Sequence, residues 1–347
     1  MSQCHKDNSN PVLSIIIPVY NLSDYIANCL NSIYKQKVDE SEFEIIIVDD
    51  GSTDDSVKKI TPYLNIHNNM RLIVQENAGV SAARNKGLKS CNTEFCTFVD
   101  GDDELAVDSL GDVINEIKKA SNEFDVIYFK SQFKKISHEL KSINDWSVLF
   151  NSEVYYTGED LIYKGFFNGG CVWGCIYRLA FLLRNELDFG ERIANNEDSI
   201  FTFRLLSKVP VILFCDINYY IVNQRYGSAS RSTSLERVKC FQNNINSLKA
   251  IRAKTDLTIL EYQAIDAALY SSISAAVYMY IWAGGCSLKY IKQLLMINQL
   301  WKMKAPWLGK NQVIKMWLVN HNFGLYFYLI YLKNKTISAS SPHEPWI

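Results

Sequence analysis

The sequence predicts an α/β fold: a mostly parallel central sheet flanked by helices, with a helical appendage towards the carboxyl end. Three observations carry this. Short apolar, β-favouring runs alternate with helical patterns through the first third of the chain, the rhythm of right-handed crossovers between parallel strands. Those runs are apolar throughout rather than alternating, as strands buried on both faces are. Three of them end in polar or acidic clusters, and an open α/β sheet binds its ligands in the crevice outside the strand ends.

The bulk composition narrows the class. At 347 residues, with 48% hydrophobic and 21% charged residues, the chain suits one large domain or a domain with an appendage. A net charge of -1 argues against a general nucleic-acid binder. The nine cysteines lack regular spacing and the start from Met1 to Asn10 is polar, so the expectation is free thiols in a reducing cytoplasm. Cys171 and Cys175 are spaced like a ligand pair, but no second cysteine or histidine pair accompanies them, which favours buried structural thiols. No run reaches the ~18 to 20 uninterrupted apolar residues of a spanning helix.

Residues 1–10 read as a flexible polar tail. Leu13 to Asn21 gives a buried first strand, with Pro18 near its carboxyl end because proline cannot donate to a ladder. Ser23 and Asp24 suit the cap of a helix on which Tyr25, Ile26, Cys29, Leu30, Ile33 and Tyr34 recur at helical spacing. A second strand, Phe43 to Val48, runs into Asp49-Asp50-Gly51-Ser52-Thr53-Asp54-Asp55, and a helix headed by Ser52 to Asp55 follows to about Leu64. Arg71 to Val74 is a third short strand; Asn77 to Gly87 passes from a glycine turn into a helix of small residues. Phe95 to Val99 is the fourth strand, and it delivers Asp100-Gly101-Asp102-Asp103-Glu104.

Three aspartates this close repel one another unless something positive sits among them, and clustered oxygens suit a hard divalent ion, Mn2+ or Mg2+. A solvated Asp-Gly turn closing a strand is the alternative. A dinucleotide-binding fold would need G-x-G-x-x-G after the first strand, and the turn here is Pro18-Val19-Tyr20-Asn21-Leu22-Ser23. Without that glycine nest, a metal on carboxylates is the natural holder of phosphates.

Four motifs in order resemble family 2 of the inverting glycosyltransferases, which have the GT-A fold: Ser14 to Asn21, Ile47 to Asp54, Asn77 to Asn85, and Phe98 to Asp103. The match runs from about Val12 to Ser230. The resemblance implies a GT-A catalytic domain over 11–231, with a nucleotide-sugar half of about 11–104 and an acceptor half of about 105–231. Pro18, Tyr20 and Asn21 would line a uracil base, and Asp50, an acceptor-only carboxylate, would take its N3 proton in a hydrogen bond. Arg84 would face the donor phosphates or help position the acids, with a salt bridge to Asp50 or Asp103 as its plain structural alternative. Asp100 would face the ribose or donor sugar, and Asp102 and Asp103 the metal.

Phe124 to Phe129 reads as another strand, followed to about Ser152 by a stretch that the sequence does not place. Cys171 to Arg178 resembles the family's Trp-Gly-x-x-Tyr-Arg segment, with Trp173 on the acceptor side and Cys175 where relatives commonly carry Lys. Glu197 and Asp198 head a helix whose apolar positions are Ile200, Phe201, Phe203, Leu205 and Leu206. Acids there also serve as ordinary caps. One-step inversion, however, needs a carboxylate opposite the leaving phosphate to remove a hydroxyl proton. The resemblance implies that Asp198 is this base, with Glu197 the alternative. Val211 to Cys215 is a further strand, and Tyr219-Tyr220 with Arg225 to Ser230 resembles a family segment that closes the catalytic domain, from which Arg225 and Ser228 would reach the diphosphate. An ordinary surface loop is the alternative there.

From about residue 232 the pattern is helical, with Val238, Phe241, Ile245, Leu248 and Ile251 on one stripe. Beyond Trp282, Lys289, Lys292, Lys302, Lys304, Lys310, Lys315, Lys333 and Lys335 are interleaved with Trp301, Trp307, Trp317, Phe323, Tyr326, Phe327, Tyr328 and Tyr331 against Glu344 alone. Such a segment suits the surface of an anionic membrane; helices packed on the core or on a second subunit of a homo-oligomer explain the same residues. The chain as a whole reads as a metal-dependent inverting transferase carrying a sugar from a UDP-sugar to a hydroxyl of a lipid-linked glycan. The setting would be bacterial surface polysaccharide, such as O-antigen or capsule, at the inner face of the cytoplasmic membrane, with no nucleic acid as partner. A nucleotidyltransferase and a non-catalytic sugar-nucleotide-binding scaffold are the alternatives.

Overall fold

The computed structural model describes residues 11–120, 123–135, 139–143, 150–152, 154–163, 171–190, 197–224, 235–254, 257–282, 287 and 289. The chain divides into two compact units, one drawn from Met1–Thr157, Cys171–Arg192 and Pro210–Gln224, the other from Gly158–Gly170, Ile193–Val209 and Arg225–Ile347.

In chain order the elements are β1 (Leu13–Val19), α1 (Ile26–Tyr34), β2 (Phe43–Asp49), α2 (Ser56–Ile66), β3 (Met70–Val74), α3 (Val80–Lys89), β4 (Phe95–Phe98), β5 (Glu104–Leu105), α4 (Ser109–Ala120) and β6 (Val126–Lys134). They continue with β7 (Leu140–Ile143), β8 (Tyr156–Thr157), α5 (Gly158–Tyr163), β9 (Cys175–Arg178), α6 (Leu179–Arg184), α7 (Glu197–Ser207), β10 (Val211–Asn223), α8 (Leu235–Arg252) and α9 (Ile259–Trp282).

All the strands lie in the first unit, in one sheet of order β3-β2-β1-β4-β9-β6-β10-β5, with β7 on β6 and β8 on β10. β1, β2 and β4 are buried along their whole length, so isoleucine, valine and phenylalanine fill both faces. From β3 to β4 every pairing is parallel. The sheet then becomes mixed: β9 runs antiparallel to β4 and β6, while β10 is parallel to β6 and antiparallel to β5. β1 lies between β2 and β4, which brings the turns after all three strands to one edge.

Two local expectations change. The cap of α1 does not come from Ser23 or Asp24: the helix opens after Tyr25 with no side-chain capping bond, and both the amide and the hydroxyl of Ser23 are turned to the Asp54 carboxylate. The strand expected to end at Cys215 runs on to Asn223, with register shifts against β6 at Cys215/Asn218 and Asn218/Tyr220. The polar Asp216 and Asn218 fall on exposed positions there, so they interrupt the apolar run without ending the pairing.

The second unit is helical. α7 packs against α5 and α9, and α8 against α9. Val238, Phe241, Ile245 and Leu248 are buried on one stripe of α8, and Ala264, Ile265, Ala268, Leu269, Ile273, Ala276 and Val277 on α9. Ion pairs join Lys208 to Glu261 and Arg252 to Asp266. Among the described residues no helix is long and apolar enough to cross a membrane. The basic, aromatic stretch from Lys292 onward lies outside the described residues, as do residues 1–10.

Gly87 marks the close approach of α3 to β1, since a Cβ there would stand 2.3 Å from Cγ2 of the fully buried Ile16. Alanine is the better helix former by about 1 kcal/mol, but forcing a methyl group into a packed core costs about 1 to 3 kcal/mol. Gly87→Ala is therefore expected to lower stability in urea denaturation by roughly 1 kcal/mol. A raised midpoint would show that Ile16 yields freely.

Candidate functional site

The turns after β1 and β2 are tied into one structure. Asn21 takes a left-handed conformation (φ 53), which a short amide side chain tolerates. Its Oδ1 accepts the Thr53 amide at 2.8 Å, and its own N–H donates to Ser52 Oγ at 2.9 Å. The Leu22 amide donates to Ser56 Oγ at 2.8 Å and the Ser23 amide to Asp54 Oδ2 at 2.9 Å. Asp54 Oδ1 also accepts the amide of Ser56, the first residue of α2, at 2.9 Å. Partial burial would raise the Asp54 carboxyl, but the bonds from Ser56 and Ser23 outweigh it and hold the group at about 2. Tyr20 and Asn21 stand exposed in this turn, whereas Pro18, expected beside them, is buried within β1.

Asp50 lies under the loop that leads into α3. Its Oδ1 accepts the Ala78 amide at 2.9 Å and Gln75 Nε2 at 2.7 Å, and its Oδ2 accepts the Gly79 amide at 2.8 Å. Three donors thus fix the plane of a carboxylate that offers four acceptor positions, and the position left over is on Oδ2.

The acidic turn after β4 is held from two directions. Arg84, 3% exposed on α3, pairs through Nη2 with Asp100 Oδ1 at 2.9 Å. Its expected ion-pair partners were Asp50 or Asp103, but those carboxylates are turned towards the Gln75–Gly79 loop and towards β10. The Arg84 guanidinium also lies 5.2 Å from the centre of the Phe189 ring. Asn85 locks that segment by donating to the Phe189 carbonyl at 2.7 Å and accepting its amide at 2.8 Å.

On the other side, Asp103 is buried, and its two oxygens accept from the Tyr220 hydroxyl and the Asn223 amide, each at 2.8 Å. Burial, with Asp102 and Asp100 alongside, pushes its carboxyl well above the ordinary range. The expected pair of metal ligands is therefore unequal: Asp102 is partly exposed, while Asp103 is engaged by β10. Trp173, expected on the acceptor side, stacks on Tyr220 with ring centres 5.0 Å apart.

Glu197 and Asp198 open α7 in the second unit, and both are partly exposed. Arg225 and Ser228 lie outside the described residues. Cys175 is a buried free thiol and Cys171 is half-buried, and among the described residues no three His, Cys, Asp or Glu side chains are arranged to hold a metal by themselves. Gln75 and Asn223 escaped the sequence reading, which named Asn85 and Tyr220 only as members of longer motifs and gave them no role. The signal for Tyr220 was the Tyr219-Tyr220 pair; nothing local distinguishes Asn223, which lies past the apparent end of its strand.

A sheet that is parallel at its first strands and mixed beyond, with acids gathered at one strand end, is the architecture of the GT-A fold. The closely similar architectures include Staphylococcus aureus TarS 1-349 in complex with UDP-GlcNAc (TM-score 0.61, 22% identity, covering 95% of this chain and 92% of that one). Another is the mannosyltransferase PcManGT from Pyrobaculum calidifontis in complex with GDP-Man and Mn2+ (TM-score 0.55, 14% identity, covering 97% and 89%). The sequence model of Glycosyl transferase family 2 matches residues 14–182, and with the relatives that follow it supports a family 2 glycosyltransferase. It is 29% identical over 274 residues to the putative glycosyltransferase EpsH of Bacillus subtilis, covering 74% of this chain and 76% of EpsH. To the poly(ribitol-phosphate) beta-N-acetylglucosaminyltransferase TarS of S. aureus it is 30% identical over 225 residues, which is 62% of this chain but only 36% of TarS.

The tie between the first two turns can be tested through Asp54. Its folded pKa of about 2 lies below the unfolded carboxylate value of ~3.9, so its stabilisation is present above that value and is lost as pH falls towards the folded one. Asp54→Ala is expected to lower stability by about 1 kcal/mol at neutral pH, with a smaller deficit in acid. Urea denaturation of both proteins at the two pH values reads this directly, and a deficit independent of pH would mean that the carboxylate charge is not what stabilises the turn.

Proposed function

We propose that the chain transfers a sugar, with inversion, from a UDP-sugar to a hydroxyl of a glycan acceptor. The carrying observation is that β2 and β4, both parallel to β1, bring an acceptor-only carboxylate, Asp50, and an acidic turn, Asp100 to Asp103, to one edge of one sheet. The position left on Asp50 Oδ2 suits the N3–H of uracil, with Tyr20 and Asn21 on the adjoining turn to cover the base. Asp100, fixed by Arg84, would accept from the ribose or the donor sugar.

The residues fit a divalent cation of the kind that family members commonly use. Hard ions of this type are often held by one or two carboxylates, with substrate phosphates and water completing the shell. Asp102 is the carboxylate that would hold it, with Asp103 mounting the turn from behind. Bound there, Mn2+ or Mg2+ would offset the charge that builds on the departing diphosphate.

Asp198, or Glu197 beside it, would remove the acceptor's proton, and such a base contributes on the order of 10²- to 10⁴-fold. The catalytic domain is proposed to span 11–231. EpsH and TarS, whose names point to transferases of bacteria, support a surface polysaccharide as the product. A lipid-linked acceptor, with the basic and aromatic residues beyond Trp282 resting on the inner membrane surface, completes the reading.

The test is a panel of nucleotide sugars with Mn2+, scored by the nucleotide released. UDP release from at least one donor is expected; pyrophosphate release would overturn the reading in favour of nucleotidyl transfer. Asp102→Asn should abolish the Mn2+-dependent part of UDP binding, and undiminished binding would remove it as the ligand. Asp198→Asn should leave donor binding intact while turnover falls by about 10²- to 10⁴-fold, and retained turnover would pass the role to Glu197.

A further inference from the structure

The end of β10 carries groups that the sheet itself does not require. Tyr219 and Tyr220 are consecutive and both fully buried, at a point where the register against β6 shifts. Phenylalanine would fill the same space, and a buried hydroxyl is costly unless bonded. The Tyr220 hydroxyl is bonded twice, and both bonds go to the acidic turn. It accepts the Asp100 amide at 3.0 Å and donates to Asp103 Oδ2 at 2.8 Å. By giving its proton to Asp103 and a lone pair to the Asp100 N–H, the hydroxyl ties two positions of the acidic turn together.

Asn223, three residues on, repeats the pattern. Its amide donates to Asp103 Oδ1 at 2.8 Å, and its Nδ2 reaches the Asp102 carbonyl and Glu104 Oε1, both at 3.0 Å. β5, which begins at Glu104, pairs antiparallel with β10 through Tyr220↔Leu105 and Ile221↔Glu104. Trp173 stacks on the Tyr220 ring at an interplanar angle of 13°, which keeps the ring from swinging away.

We propose that Tyr220 and Asn223 are positioning residues for the donor. They hold Asp103 as an internal strut, so that Asp100 and Asp102 keep the separation and orientation that a nucleoside diphosphate and its cation require. This rests on the donor reading above. The base subsite around Asp50 takes no part in it, so uridine should bind independently of these two residues.

The experiment uses the full chain and Tyr220→Phe, which keeps the ring and its stack but removes the hydroxyl. Titration calorimetry follows uridine, UDP, and UDP with Mn2+; thermal melting follows the fold; KM is measured for donor and acceptor separately. The expected result is about a tenfold loss of UDP affinity in Mn2+ and a matching rise in donor KM, with uridine affinity and acceptor KM held within about twofold. A purely structural hydroxyl would lower the melting temperature and leave those affinities alone, which would overturn the proposal. Asn223→Ala carries the same test if Tyr220→Phe does not fold, and unchanged Mn2+-dependent affinity there would overturn it equally. Absence of UDP binding by the unaltered chain overturns the donor reading together with this proposal. Binding by the unaltered chain, matched by Tyr220→Phe, overturns this proposal alone.

Discussion

Carboxylates crowded at the end of a buried strand raise one another's cost of ionisation, and the acidic edge of this sheet depends on how that repulsion is relieved. Two unit charges 4 Å apart interact by about 4 kcal/mol at the effective dielectric of a protein surface, enough to displace a turn that nothing restrains. Each acid meets a different solution. Asp100 has a buried guanidinium at 2.9 Å. Asp103 is withdrawn from water and given two donors, with its carboxyl pushed up by burial and by its neighbours. Asp102 keeps part of its surface in solvent. The same field reaches Cys29, whose thiol is pushed up by burial first and by Asp103, Asp102 and Asp100 after it.

This division is possible because the sheet order differs from the chain order. β1 sits between β2 and β4, so the turns at 20–23, 50–56 and 100–104 converge although they are widely separated in sequence. Bonds between turns then replace bonds within them. Asn21 serves Thr53, Asp54 serves Ser23, and Ser56 serves Leu22. α3 contributes to two sides, with Arg84 on Asp100 and Asn85 on the backbone of Phe189. A glycine nest would hold phosphate through the backbone of one loop. Here the edge is fixed by side-chain bonds between several loops rather than by the backbone of one.

The part of the fold that was legible in the sequence is the part whose signals are local. Runs such as Leu13 to Val19 and Phe43 to Asp49 announce buried parallel strands because their apolarity is continuous, and the acids at their ends announce the functional edge. The cap of α1 was misread because Ser23 has two uses, and the tie to Asp54 wins over capping. β7 and β8 were missed because short edge strands carry little pattern. Most consequential was the second half of β10, where Asp216 and Asn218 break the hydrophobic run and conceal Tyr220 and Asn223. The acids could be read from composition alone. What holds Asp103 lies more than a hundred residues away, and no spacing rule reveals it.

The cysteine at 175 bears on where the positive charge at the acidic edge comes from. The family pattern commonly has Lys there, which suggested a cation missing from the acceptor side. In this chain Cys175 is a buried β9 residue paired with Tyr128 of β6, and the Cys175 carbonyl accepts the Thr97 hydroxyl at 2.8 Å. Burial pushes its thiol up to about 12, and an ammonium at the same point would need a partner to offset its desolvation. The described contacts of Cys175 are with the sheet interior and the Trp173 carbonyl, so the substitution changes the packing of β9 rather than the charge on the acidic turn. Positive charge at that turn is supplied from α3 instead. Arg84 is buried, paired with Asp100 and laid against Phe189, and a planar guanidinium can make all of these contacts from one fixed position where a flexible lysine could not.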